Sequence, residues 1–360
     1  MLALTATPVR GVRAPGVVYH LAVMTGGEIA PELTLPARPG GRPRADAILR
    51  WSNVGVIVLL FAIASLLSEH FLTVRNIMNI LRGTSMMGIT ALGMTIVILN
   101  RGVDLSVGSL AGLSAVLAAG LQVHGVAAAW AAAVAVALAL GGVNGLLIAR
   151  LRLQPFVATL AMLIFARGLV YLYSDGSNVL VRSPHPLFVS LGSGYVGPVP
   201  VPVLIWVAAY ALLALVMAHT VFGRRVNLVG ANPEAAHVLG ISVARNRIEV
   251  YALSGALAGL AGLMLTSRLT VGDPQAGNLY ELDAIAAALI GGTTFDGGVG
   301  SLHGTIGGTV ILAVLSNILN LIGVSPYFQI IAKGVVIVVA VVLSELRYRQ
   351  GSRAWVHLQR

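Results

Sequence analysis

The chain has 360 residues, of which 57% are hydrophobic and 10% are charged. Soluble domains carry about 25% charged residues, so this composition excludes an ordinary soluble domain and indicates a polytopic membrane protein. The chain has no cysteine, which excludes disulfides and cysteine nucleophiles, and its net charge of +10 comes largely from arginines at the termini and between apolar runs, which indicates membrane topology rather than nucleic-acid binding.

The first 49 residues differ from the rest, with several Pro, Gly and Arg residues and one short apolar run at 17–24. They match the pattern of a secretory signal peptide poorly. We therefore predict a disordered basic extension over 1–49, a transmembrane domain over 50–347 and a cytoplasmic tail over 348–360. Because the membrane pattern begins only near Arg50, Met24 is an alternative start of the protein.

The apolar runs that follow predict an all-α polytopic fold. A helix needs about 20 residues to cross the bilayer core, and this length predicts about ten spans, with nine and eleven left open. The eighth run is short and is followed by Gly291 and Gly292, which indicates a broken or re-entrant helix. The predicted spans lie near 53–69, 84–99, 105–123, 126–149, 156–174, 201–218, 248–267, 283–295, 302–322 and 327–344.

The arginines predict the orientation of these spans. Four arginine clusters fall on one side of the membrane when the number of spans is even, and that side is expected to be the cytoplasm, with both termini inside. Arg75 and Arg82 fit less well, because this scheme puts them outside or at the outer edge of the second span. The clusters are Arg42, Arg44 and Arg50; Arg150 and Arg152; Arg224, Arg225, Arg245 and Arg247; and Arg347, Arg349 and Arg353.

A polar break at 100–109 separates the second and third spans. A charge near the bilayer core is costly unless it caps a helix, lines a water-filled path or reaches the interface. Asp104 therefore has two interpretations. It contributes to a translocation path, as Ser106 beside it would, or it caps the third span through the N–H groups of Ser106 and Val107.

The loop at 219–247, after the sixth span, predicts a short cytoplasmic helix. Asn232 is a natural N-cap, Pro233 suits a first turn, Glu234 suits the positive end of the helix dipole, and Gly240 can end the helix. A helix that lies between spans can fit a groove on another protein. The alternative is an inert amphipathic linker. The residues of this segment are Gly230, Asn232, Pro233, Glu234, Ala235, Ala236, Gly240 and Ile241.

Polar residues near the last three spans have two interpretations each. Glu281 and Asp283 either cap the eighth span or line a path for a polar solute, and Thr293 follows that span. Lys333 either reaches the interface or pairs with a polar neighbour, or it contacts substrate. Gly255, Gly259 and Gly262 recur at helical spacing in the seventh span and predict close helix packing.

The sequence G-V-D-L-S-V-G-S at 102–109 resembles a segment of sugar-type ABC importer permeases, those of ribose, xylose and galactose systems, and the helix at 232–241 resembles their ATPase-coupling segment. Two positions depart from that pattern. Arg101 stands where many sugar permeases carry a small or uncharged residue, and Phe295 with Asp296 where a small or apolar pair is common. Further segments that carry the resemblance lie at 76–81, 91–95, 155–160, 167–168, 280–287, 291–293 and 320–324, with Lys333.

The resemblance implies a permease bundle in the bacterial inner membrane that imports a monosaccharide, a ribose-like pentose or a hexose. Its implied partners are a cytoplasmic ABC ATPase that holds ATP and Mg²⁺, a periplasmic sugar-binding protein, a second permease copy of the same or a paralogous chain, and membrane lipid. The chain has no Walker-type G-x-x-x-x-G-K-[ST], so we expect no enzyme activity, catalytic residue, metal or cofactor of its own. The translocation-path candidates are Asp104, Ser106, Glu281, Asp283 and Thr293.

An ion-coupled secondary transporter of a small polar solute is the alternative. Carriers of that class usually place ionisable residues inside their spans as an ion relay. Here those residues lie almost entirely at the span edges, and a docking helix has no purpose in such a carrier.

Overall fold

The computed structural model describes the side chains of residues 54–182, 184–339 and 341–342, and secondary structure alone for 43–53, 340, 343–356 and five short strands before residue 35. The chain divides into two units, 1–52 and 53–360. The predicted disorder over 1–49, the alternative start and the tail at 348–360 concern residues that lie largely outside those described. The strands of the first unit are β1 Leu4–Ala6, β2 Tyr19–Leu21, β3 Met24–Thr25, β4 Glu28–Ile29 and β5 Leu33–Thr34.

The second unit is built from helices, as the apolar runs predict. Short two-residue strands pair between the helices, β6 with β9 and β7 with β8, both antiparallel. The strands are β6 Val179–Leu180, β7 Tyr195–Val196, β8 Val199–Pro200 and β9 Val271–Gly272, and a 3-10 turn covers Gln122–His124. Along the whole chain, as far as the structure describes it, the helices are α1 Pro43–Leu67, α2 Val74–Leu99, α3 Val107–Leu121, α4 Val126–Arg150, α5 Pro155–Ser174, α6 Pro186–Ser193, α7 Val201–His219, α8 Val221–Ala231, α9 Pro233–Val238, α10 Val243–Leu269, α11 Tyr280–Ile290, α12 Leu302–Leu321 and α13 Pro326–Val356.

Within the described residues, seven helices are long and apolar enough to cross a membrane, and these are α2, α4, α5, α7, α10, α12 and α3 with its 3-10 turn. The all-α polytopic fold is therefore confirmed. The described apolar parts of α1 and α13 are shorter, at 54–67 and 326–339. α11 has 11 residues, and at a rise of 1.5 Å per residue it is about 16 Å long, roughly half the bilayer core.

α2 lies at the centre of the bundle. Of its apolar window, 83% is buried, against 22% for α7, whose apolar surface is left for lipid or a partner. Close packing of α10 on α4 and α3 uses the predicted glycines, because a Cβ at Gly255 would overlap the carbonyl oxygen of Ala137 and one at Gly262 that of Ala111.

Two kinds of prediction are wrong. Several boundaries are misplaced, since α10 begins at Val243 rather than near 248 and α11 ends at Ile290 rather than near 295. α2 begins at Val74 rather than near 84, because the Thr73 hydroxyl caps it by accepting from the Asn76 amide at 3.3 Å. Arg82 therefore lies inside α2, where its guanidinium binds the hydroxyl of Tyr195 and stacks 4.9 Å from the centre of that ring. The second error is α8, a helix that the sequence analysis treated as part of a loop.

Candidate functional site

The predicted cytoplasmic helix is α9, which we call the docking helix. Asn232 caps it, since its Oδ1 accepts from the amides of Glu234 at 2.9 Å and Ala235 at 3.0 Å. Pro233 occupies the first turn, where a missing N–H costs nothing. Its six helical residues make it shorter than the predicted segment at 232–241. Its N-terminal end lies where the sequence predicts it, with Asn232 as the N-cap.

The docking helix ends in a Schellman motif. The Ile241 amide donates to the carbonyl oxygen of Ala236 at 3.0 Å, and the Gly240 amide donates to that of His237 at 2.9 Å. Gly240 has a φ of +78°, which explains the glycine. A close contact at Gly240 is not the reason, because nothing lies within 4 Å of an added Cβ.

One side of the docking helix faces the bundle, and the other is exposed and carries both polar residues, Glu234 and His237, and apolar ones. Ala236 is buried, whereas Val238 and Leu239 are 84% and 69% exposed. These two apolar side chains are therefore available for contact with another protein or with the membrane surface. The close approach to the bundle occurs at Gly230, where a Cβ would overlap the carbonyl oxygen of Leu99 at the end of α2.

Asp104 lies in a packed hydrogen-bond network with no exposed surface. Its Oδ1 accepts from the amide and hydroxyl of Ser106 at 3.1 and 2.6 Å, and its Oδ2 accepts from the Ser254 hydroxyl at 2.9 Å. Asn144 donates to the Ser106 hydroxyl at 2.9 Å. Of the two amides expected as capped, Asp104 therefore binds only that of Ser106, and it also joins α10 and α4 to the start of α3.

Glu281 and Asp283 point to different neighbours. Asp283 is buried and its Oδ2 pairs with Nζ of Lys333 on α13 at 2.8 Å. Glu281 lies against Gly108 of α3, where any Cβ would overlap its Oε2. The pairing of Lys333 with a polar neighbour is thus confirmed. The two carboxylates do not line one surface, because side chains two positions apart on an α-helix point about 200° away from each other around its axis.

Thr293 follows α11 in a second Schellman motif. Its amide donates to the carbonyl oxygen of Ala288 at 3.0 Å, while Gly292 has a φ of +91°. Thr293 is fully buried and packs against Gly300, and its hydroxyl has no hydrogen-bond partner among the described residues. The glycines after the eighth run therefore end α11 at Ile290, and a re-entrant path at this point stays a prediction.

Asp283 lies on the wall of a cavity of about 270 Å³ between α2, α11, α12 and α13. This volume is just below the range of about 300–1,000 Å³ that small-molecule sites occupy. Within the described part of the chain, no hydrogen bond joins the side chains of Asn79, Tyr280 or Ser316 to other groups, so these polar groups are free to meet a solute. The other lining residues are Ile80, Gly83, Thr84, Met87, Leu312, Ala313, Asn317, Asn320 and Lys333.

Several residues of this wall were missed as site candidates. The signal that could have found them is an amide inside an apolar helix, as at Asn79, Asn317 and Asn320. Asn317 forms a reciprocal amide pair with Asn76, at 3.0 and 2.8 Å, which holds α12 against the start of α2. Among the residues that the structure describes, no group of His, Asp and Glu side chains could hold a metal ion.

Comparison with known proteins identifies the family. The family model described as "Branched-chain amino acid transport system / permease component" matches residues 76–341. The chain is 43% identical over 295 residues to the ribose import permease protein RbsC of Bacillus subtilis (strain 168), across 80% of this chain and 90% of that protein. No solved structure matches the chain.

Two further relatives carry other sugars in their names. The chain is 35% identical over 305 residues to the L-arabinose ABC transporter permease protein AraH of Azospirillum brasilense, across 84% of this chain and 89% of that protein. It is 36% identical over 326 residues to the galactose/methyl galactoside import permease protein MglC of Salmonella typhimurium, across 84% of this chain and 97% of that protein. The chain therefore belongs to the family of sugar-type ABC importer permeases.

Proposed function

We propose that this chain is the membrane permease subunit of an ABC importer for a monosaccharide, a ribose-like pentose or a hexose. The observation that carries the proposal is the self-capped docking helix, which exposes Val238 and Leu239 beside a bundle of this family. An ATPase groove that covers these side chains would remove apolar surface from water. The relatives named for ribose, arabinose and galactose support the substrate class.

The cavity beside Asp283 is our candidate for part of the sugar path. A sugar offers hydroxyl groups that both donate and accept hydrogen bonds, and the free polar groups of Asn79, Tyr280 and Ser316 match them. The Asp283–Lys333 pair presents both charge signs at short range without a net charge. Asp104, Ser106, Glu281 and Thr293 stay candidates of a lower rank, because their contacts lie within the packed bundle.

The proposed topology has both termini in the cytoplasm of a bacterial inner membrane. Seven long apolar helices, together with α1, α13 and the short α11, make up about ten membrane segments. The arginines near residues 150, 224 and 245 then share the cytoplasmic side with the docking helix. The permease domain covers 50–347 and its coupling loop 219–247.

The mechanism needs no bond to be made or broken in the sugar. A periplasmic binding protein delivers the sugar, and two permease copies, identical or paralogous, form the path between them. The partner ATPase binds ATP and Mg²⁺, and its two domains close around the bound ATP. This closure moves the docking helices and shifts the bundle between two access states. This chain contributes no catalytic residue, metal or cofactor, and specificity lies largely in the binding protein.

The test is uptake by the complex reconstituted in liposomes with its ATPase and binding protein. We expect uptake of one pentose or hexose from a panel, only with ATP inside the compartment that holds the ATPase. Glu234→Arg, which puts the wrong charge at the docking helix N-terminus, should release the ATPase while the permease stays folded. Uptake that persists without any ATPase and collapses with an ionophore would instead favour an ion-coupled carrier, a reading that the Asp283–Lys333 pair supports.

A further inference from the structure

Two residues after α2 ends at Leu99, the chain has an arginine in a conformation that glycine usually adopts. Arg101 has a φ of +60°, in the left-handed region. Its amide donates to the carbonyl oxygen of Ile98 at 2.9 Å, and the Gly102 amide donates to that of Val97 at 3.0 Å. These are the two bonds of a Schellman motif, in which the left-handed residue is most often glycine. An arginine at this position adds a side chain that can make contacts glycine could not.

The Arg101 side chain supplies those contacts by joining three segments. Its single Nε–H is shared between the carbonyl oxygens of Gly230 at 2.7 Å and Asp296 at 2.8 Å, and its Nη2 donates to that of Ala231 at 2.7 Å. Gly230 and Ala231 are the last residues of α8, where carbonyl groups lack helical partners and form the negative end of the dipole. The cation thus binds the chain directly before the docking helix. We call these three bonds the Arg101 clasp.

Glycines allow the segments around the clasp to pack in direct backbone contact. A Cβ at Gly230 would overlap the carbonyl oxygen of Leu99, and one at Gly297 would overlap the Arg101 side chain. The Gly298 amide donates to the same Leu99 oxygen at 2.9 Å. Backbone therefore meets backbone at the junction of α2, α8 and the 291–301 loop, and a displacement of one segment displaces the others.

The segments that meet at the clasp also reach the cavity. α2 carries Asn79 and Thr84 of its wall, and α11, which leads into the 291–301 loop, carries Asp283. α12, which leaves that loop, carries Asn317. The docking helix and the cavity are thereby linked through continuous helices that meet at Arg101.

We propose that Arg101 is a positioning residue that transmits movement of the docking helix to the helices around the cavity. The inference rests on the proposed function, since it presumes that an ATPase moves that helix. Lysine cannot replace the guanidinium fully, because its single ammonium group is a point charge and lacks the planar set of donors that bridges three carbonyl groups. Without the clasp, the ATPase would still dock and hydrolyse ATP, but the bundle would follow its movement poorly.

Arg152 offers a matched control. It also lies in the left-handed region, with a φ of +56°, two residues after α4 ends at Arg150. Its side chain is exposed and makes no hydrogen bond to the described part of the chain. Arg152→Gly removes the same charge from the same backbone conformation without removing a clasp.

The experiment compares Arg101→Gly, Arg101→Gln, Arg101→Lys and Arg152→Gly in the reconstituted complex. Glycine suits the left-handed position, so Arg101→Gly is expected to keep the end of α2 intact. The measured quantity is sugar transported per ATP hydrolysed, with retention of the ATPase on purification as a second reading. We expect this ratio to fall at least about fivefold in Arg101→Gly and Arg101→Gln, the lower end of typical coupling effects, with the ATPase retained. Arg101→Lys should fall between these variants and the unchanged chain, and Arg152→Gly should match the unchanged chain.

Three results would overturn the inference. The first is an unchanged ratio in a folded Arg101→Gly or Arg101→Gln complex. The second is an equal fall in Arg152→Gly, which would make the effect one of charge. The third is loss of the folded permease or of the bound ATPase in both Arg101→Gly and Arg101→Gln, which would make the clasp a requirement for folding or docking. A failure of the proposed function looks different, because the unchanged complex itself would then transport sugar without ATP.

Discussion

Two buried aspartates among the residues that the structure describes lie in contrasting surroundings. Asp104 accepts three hydrogen bonds from two serines and has no exposed surface. Asp283 pairs with Lys333 at 2.8 Å on the wall of a cavity whose other polar groups are partly free. A carboxylate within a membrane protein can thus be stabilised by a closed network that fixes packing, or by a partly open ion pair that stays accessible to a solute. Only the second arrangement suits a transport path.

The largest effect is expected at Asp104. Asp104→Ala leaves the hydroxyls of Ser106 and Ser254 and one amide without their acceptor in a dry site, and the free energy of unfolding should fall by about 3 kcal/mol. The yield of monodisperse permease in detergent and its thermal unfolding temperature measure this loss. Asp104→Asn keeps the shape and one acceptor oxygen, so it is the milder control.

A folded Asp104→Ala permease with normal thermal stability and no sugar uptake would contradict this contrast. Asp104 would then belong to the path rather than to the packing, as the first of its two sequence interpretations has it.

Replacement of Asp283 should affect transport more than folding. Asp283→Asn keeps the size and removes the charge, and the side chains of the pair are 11% and 29% exposed, so water can solvate the remaining Lys333. We expect uptake to fall about tenfold, a change of ~1.4 kcal/mol in the barrier, with near-normal yield of folded permease. The measurement is initial uptake rate per folded complex.

The variant Lys333→Gln and the double variant separate charge balance from sugar contact. If Asp283 serves only to neutralise Lys333, the double variant should regain uptake. We expect it to stay impaired, since neutral amides make weaker hydrogen bonds to sugar hydroxyls than the charged pair does. Full recovery in the double variant would remove Asp283 from the candidate path.

How far the sequence predicts this molecule depends on the range of the contacts involved. Apolar length predicts α4, α5, α7 and α12 to within a few residues, and the Asn232–Pro233 pair predicts where the docking helix begins, because both signals are local. The partners of Asp104 are not local. Ser254 lies 150 positions away, and no periodicity indicates that it meets this carboxylate.

The same reason explains the other errors. Glu281 and Asp283 look alike in the sequence, and only the direction of α11 against α3 and α13 separates them. The sequence shows Arg101 only as a departure from the family pattern. Its three acceptors are backbone carbonyl groups, which every residue carries, so no residue type in the sequence indicates them.

The smallest effects are expected from two serines, one in each region. Ser254 is buried and donates to Asp104, so Ser254→Ala leaves Asp104 with one hydrogen bond fewer and should lower the free energy of unfolding by about 1 kcal/mol. Ser316 lies on the cavity wall without a hydrogen bond to the described residues. Ser316→Ala should therefore leave the unfolding temperature unchanged. It should raise the sugar concentration needed for half-maximal uptake by about two- to threefold, which corresponds to the loss of ~0.5 kcal/mol of sugar binding. Paired thermal unfolding and concentration-dependent uptake measure both. The reverse pattern, in which Ser316→Ala destabilises the fold and Ser254→Ala changes only uptake, would exchange the roles of the two regions and move the candidate path to Asp104.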